Sequence, residues 1–155
     1  MSVSIEVEDD AWQQLPGLEA MTQIAICAAL EATGLAEAEV YVLFTDDQSI
    51  AELNAQWRGQ AKATNVLSFP APEDMPLPPG EPRPLGDIVL ASGVVCREAE
   101  DQRKTLHDHA AHLIIHGVLH LLGHDHDDEN EAAAMEQLEI GILKGLGISN
   151  PYERQ

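Results

Sequence analysis

All seven histidines of the chain lie between positions 107 and 126, and three of them have the spacing of a metal site. The segment reads His116-Gly117-Val118-Leu119-His120-Leu121-Leu122-Gly123-His124-Asp125-His126. On a helix, His116 and His120 project from one face, one turn apart. Gly123 can close that helix in the left-handed conformation, and the returning chain can carry His126 toward the same point. Three neutral imidazoles would hold one tetrahedral Zn²⁺ with a position left open. An open position suits chemistry on a bound water, whose pKa such an ion lowers to about 7. Imidazoles also suit Ni, Cu and Fe, so the spacing alone leaves the ion open.

The same spacing occurs in metzincin proteases, with one departure that matters. Those enzymes place a glutamate directly after the first histidine, as general base on the metal-bound water. Here that position is Gly117, which offers no proton acceptor. Paired histidines on an apolar helix face can also be hydrogen-bonded core residues; a third at this spacing, with a glycine between, argues against that. His112 stands one turn before His116, either supporting the site or as a plain polar neighbour. His107 and His109 are expected at the solvated start of the helix. His124 is expected to be exposed, and could replace His126 only if the turn ran differently. Asp125 either fixes the tautomer of a ligand imidazole or caps the turn. Asp127, Asp128, Glu129 and Glu131 suit a solvated helix N-terminus.

The elements that must position this site follow from periodicity and breakers. Residues 3–7 alternate as a strand does. Residues 18–32 carry a helical apolar stripe, with Gly34 past its end. Residues 39–45 are rich in β-branched and aromatic types and predict a strand. Asp46, Asp47 and Ser49 offer N-caps to the next helix, and Ser49 with Glu52 has capping-box spacing. That helix presents Ile50, Leu53 and Trp57 and stops at Gly59. Residues 64–69 and 87–91 predict two more strands. Between them, residues 70–84 hold seven of the nine prolines and predict a stiff, exposed surface insertion. Residues 104–122 and about 129–146 complete the pattern as helices. The order βαβα, ββ, αα predicts an α+β fold, a small mixed sheet packed by helices, with the histidine helix on the sheet and ending in a glycine turn at the metal site.

With 155 residues, 45% of them hydrophobic, the whole of 1–155 is expected to form one soluble domain. Cys27 and Cys96 are isolated and suit small buried residues or free thiols in a reducing compartment. The first ten residues carry four acidic side chains and no Lys or Arg, unlike a secretory signal. No apolar run reaches the roughly 18 residues of a membrane span. The expectation is a cytoplasmic protein with no membrane partner. A net charge of −19 argues against free binding to nucleic acid. Only the local field at a site decides that, however. Arg58 and Lys62 form one small basic pair, and Arg97, Arg103 and Lys104 form a second group.

Several blocks together resemble the YbeY family of bacterial metal-dependent endoribonucleases. They are His116-Gly117-x-Leu119-His120-Leu121-x-Gly123-x-Asp125-His126, then Leu53-Asn54-x-x-Trp57-Arg58 with Thr64-Asn65-Val66-Leu67-Ser68-Phe69-Pro70, and Leu85-Gly86-Asp87-Ile88. Met135-Glu136-x-Leu138-Glu139 and Asn150-Pro151-Tyr152 are similar too. The blocks cover most of the chain in the family's order. Asn65 stands where many members have Asp, and His124 where an aromatic residue is common; neither is an expected ligand, though Asn65 weakens any case for a carboxylate base there.

The resemblance implies a zinc-dependent endoribonuclease favouring single strands, with RNA and not DNA as its partner. It further implies a role in ribosomal RNA maturation at the small-subunit 3′ end and in ribosome quality control. It implies His116, His120 and His126 as ligands, with His116 and Arg58 in catalysis. Taken alone, Arg58 reads as a surface residue ending a helix, but a guanidinium does offer paired donors to phosphoryl oxygens that gain charge. Two rivals remain: a metallopeptidase, and a non-catalytic, metal-dependent ribosome assembly factor whose acidic surface would meet a basic small-subunit ribosomal protein.

Overall fold

A computed structural model describes residues 2–35, 37–72, 76–78, 81–124 and 128–152. The β-branched run Ala38–Thr45 forms β2, an inner strand of a four-stranded sheet. Ser2–Val7 (β1) pairs with it in parallel on one side. Arg83–Ala91 (β4) pairs with it in parallel on the other. Val66–Pro70 (β3) adds antiparallel to β4 as the far edge, so the order is β1-β2-β4-β3 and the sheet is mixed, as expected.

Strand periodicity divides the side chains between two faces. Val40, Val42 and Phe44 are fully buried on one face, beneath α1 (Leu18–Ala32) and α4 (Leu106–Leu121), with α5 (Glu129–Gly145) packed alongside α4. On the other face α2 (Asp47–Arg58) lays Ile50 and Leu53 over Leu67, Val89 and Ala91. Asp46 caps α2, its carboxylate accepting from the Ser49 N–H at 2.7 Å, in place of the expected Ser49–Glu52 box.

Three expectations need correction. A further helix, α3 (Ser92–Asp101), stands between β4 and α4, where no helix was expected. Its own cap residue, Ala91, has no side-chain acceptor. The carboxylate of Asp47, from α2, substitutes by accepting from the Val94 N–H at 3.0 Å. A Cβ on Gly93 would sit 2.4 Å from that carboxylate, so the glycine makes room for the cap. Second, the proline-rich loop is shorter than expected, because Pro70 ends β3 while Arg83 and Pro84 open β4. Third, Trp57 does not share the buried stripe of Ile50 and Leu53; it is 64% exposed.

Candidate active site

Thr105 caps α4, its hydroxyl accepting from the Asp108 N–H at 3.0 Å. At the other end, Gly123 takes φ 96°. Its N–H donates to the His120 carbonyl, and that of His124 donates to the Leu119 carbonyl, each at 3.0 Å. This is the Schellman arrangement, so the glycine stop stands where the spacing placed it. In between, Gly117 lets the helix lie close on the sheet. A Cβ there would come within 3.1 Å of Ile88 Cγ2 and 3.2 Å of Ser68 Oγ. A side chain at this position, such as the glutamate of a metalloprotease, would have to push Ile88 and Ser68 aside.

That close approach holds one histidine-bearing face of α4 at the β3 edge. His116 and His120 are brought together, Nε2 to Nε2 at 3.0 Å. The third expected ligand, His126, lies outside the described residues, as do Asp125 and Asp127. His124 is half-buried at the cap rather than exposed. His107 stays exposed, against Asp108.

Sequence reasoning assigned no role to Glu139. It lies on α5 between the buried Met135 and Ile142 and is itself fully buried. His116 Nδ1 and Tyr152 Oη make close hydrogen bonds to it, and His112 Nε2 lies 3.2 Å from Oε2. Burial alone would raise its pKa; these bonds outweigh that and hold it at about 2. An ionised carboxylate only accepts. His116 therefore donates from Nδ1, and its Nε2 faces His120. The signal for Glu139 was present in the sequence: a carboxylate in the apolar stripe of a helix requires partners.

His109 is buried, contrary to expectation, because α3 covers it. Its Nε2 lies 2.9 Å from Glu98 Oε1 on that helix. Burial holds its pKa below the usual histidine value. Asn65 donates to the same Glu98 at 3.0 Å, so it serves as a structural amide and not as a base.

Arg58, at the end of α2, donates to the Ser68 carbonyl at 2.7 Å. It lines a groove of about 660 Å³ together with Asn54, Lys62, Asn65, His116 and His120. A second cavity, over the C-terminal segment, carries Arg103 and Lys104 and reaches His112 and Tyr152. Asp101 and Asp108 also line it. A third cavity, touching both His112 and His116, joins the two. Thus Arg58, Lys62, Arg103 and Lys104, four of eight basic residues in a chain of net charge −19, surround the histidine face.

The donor set fits a transition-metal ion. Two nitrogens on one tetrahedral ion are about 3.3 Å apart, close to the His116–His120 separation. A carboxylate behind a ligand imidazole is the usual support for such a site. His112, His116 and Glu139 form a second possible group, with one ligand atom from each within 4.8 Å of the others.

The sequence profile of the family described as endoribonuclease YbeY matches residues 4–147. The chain belongs to that family. YbeY of Chelativorans sp. (strain BNC1) is 47% identical over 152 residues, covering 97% of this chain and 93% of that one. YbeY of Paramagnetospirillum magneticum is 46% identical over 164 residues, covering 100% of both chains. In structure, the chain resembles TM1509 from Thermotoga maritima, with a TM-score of 0.58 and 23% identity over 98% of this chain and 99% of that one. That likeness bears out the α+β fold, and the YbeY relatives place the chain among nucleases. Among the described residues, no helix is long and apolar enough to cross a membrane.

Proposed function

We propose that residues 1–155 form one zinc-dependent endoribonuclease domain that cuts single-stranded RNA in the cytoplasm. Its role would be maturation of the small-subunit ribosomal RNA 3′ end and ribosome quality control, in contact with a small-subunit ribosomal protein. The observation that carries this reading is the groove in which Arg58 and Lys62 stand with His116 and His120. It sets phosphate-binding cations beside metal-binding imidazoles.

His116, His120 and His126 are the proposed ligands of one ion, which when bound supplies Lewis acidity toward a phosphoryl oxygen and an activated water. Glu139 holds His116 in the tautomer whose Nε2 is bare. Tyr152 and His112 hold Glu139 ionised. Arg58, steadied by the Ser68 carbonyl, offers its remaining N–H groups to the phosphate. Close packing at Gly117 disfavours the peptidase rival.

Purified protein should cut single-stranded ribosomal RNA, and His116→Ala or chelation should abolish cutting. His120→Ala should lose metal by elemental analysis. Arg58→Ala should keep metal yet lose about 10²–10³-fold in turnover, the usual cost of one donor to a transition-state oxyanion. Cutting that survives in His116→Ala and after chelation would overturn the assignment. A wild type that binds a ribosomal protein but never cuts would favour the assembly-factor rival.

A further inference from the structure

At 64%, Trp57 is the most exposed of the large apolar side chains among the described residues. It stands where α2 stops covering its face of the sheet. There Tyr41 and Leu43 of β2, Phe69 of β3 and Val89 of β4 line a cavity of about 720 Å³ with Leu53 and Trp57. The Trp57 and Phe69 rings meet edge to face, with centroids 6.4 Å apart. The Arg58 guanidinium carbon lies 5.7 Å from the Phe69 centroid. Arg58, Ser68 and Pro70 line both this cavity and the His116–His120 groove, so the two spaces adjoin at Arg58.

We propose that this cavity is a base-stacking subsite, in which an unpaired nucleobase next to the phosphate at Arg58 stacks on Trp57 and Phe69. The proposal rests on the ribonuclease reading above and names how the strand is held. A phosphate of a single strand cannot enter the groove without bringing its flanking bases. Among the described residues, the only rings lining the groove itself are the His116 and His120 imidazoles, which face each other at the proposed ion, whereas the adjoining cavity offers Trp57 and Phe69 beside Tyr41. Among the described residues Arg58 is the only cation lining it, and the carboxylate of Asp87 lines it too, so the backbone is kept at the Arg58 end and the apolar part receives a base. Every base has a π face, so such a platform holds single strands without reading sequence. A duplex keeps its bases stacked inside and cannot use it.

The chain provides its own probe. It has two tryptophans, and Trp12 is buried with its indole N–H donated to the Thr45 carbonyl. A short 2′-O-methyl oligonucleotide, which resists cleavage, should therefore quench Trp57, while an abasic oligonucleotide of equal length and charge should not. By anisotropy of the labelled strand, Trp57→Ala should bind the base-bearing oligonucleotide about 5- to 100-fold more weakly. It should bind the abasic one unchanged, and Trp57→Phe should recover most of the loss. Equal binding of both oligonucleotides by the wild type, or unchanged base-bearing binding by a folded Trp57→Ala, would overturn the subsite; the second result would point to a protein partner on this face. A parallel cleavage assay separates the two claims. Base-dependent binding without cutting keeps the subsite and overturns the nuclease reading, and cutting without base-dependent binding does the reverse.

Discussion

Glu139, itself fully buried, takes hydrogen bonds from three side chains on two oxygens. Glu139→Gln keeps the shape but must present an amide N–H₂ where one of those donors now points. It should free His116 to change tautomer and lower metal affinity about 10- to 100-fold, read by competition with a zinc chelator. His112→Ala should retain the ion if His116 and His120 bind it, and lose it if His112, His116 and Glu139 do. His109 makes a different prediction. Burial depresses its pKa below the unfolded value of about 6.5, so the unfolded chain holds a proton that the folded chain sheds. Its contribution to stability is full above that pH and is lost as the pH falls through the folded pKa. Urea midpoints at pH 7.5 and 5.5 should differ more in the wild type than in His109→Gln.

Among the helices, α3 and α4 show what local sequence can and cannot reveal. The ends and face of α4 were legible because Gly123, the histidine spacing and the apolar stripe all act within one segment. The strands were legible from the alternation of residues 3–7 and the β-branched and aromatic types of residues 39–45, and residues 64–69 and 87–91 were also expected as strands, apart from the proline-bearing start of β4, which the pairing with β2 overrides. By contrast, α3 is stabilised from outside, by an Asp47 carboxylate 47 residues earlier than the Val94 N–H it accepts from. No pattern inside residues 92–101 announces that cap. The error over His109 followed, since the helix that buries it was missing. Asp47→Ala should remove the cap together with the Arg97 pair, which is too exposed to add much. The expected loss is about 1 kcal/mol, read from chemical unfolding. Glu139 was legible in principle as a carboxylate in an apolar stripe, but its role needed α4 and the Tyr152 segment set beside it.

Across the whole molecule, charge is divided unevenly. Half of the basic residues gather around the histidine face, while the chain as a whole carries −19. For a polyanionic substrate this weakens the usual response to salt. Each phosphate neutralised on a single strand contributes a slope of about −0.7 to log K against log salt, so four cations set a limit near −2.8. Added salt also screens the repulsion from the remaining surface, which works in the opposite direction. The measured slope between 50 and 200 mM should therefore be shallower than about −2.8, and a steeper one would mean further cationic contacts. Such a surface discriminates by shape as well as by charge. A strand end or extruded loop brings few phosphates near the acidic surroundings of the groove, whereas a long helix laid across it brings many. On the proposed reading, repulsion would then act as a filter that favours protruding, unpaired RNA before any base is touched.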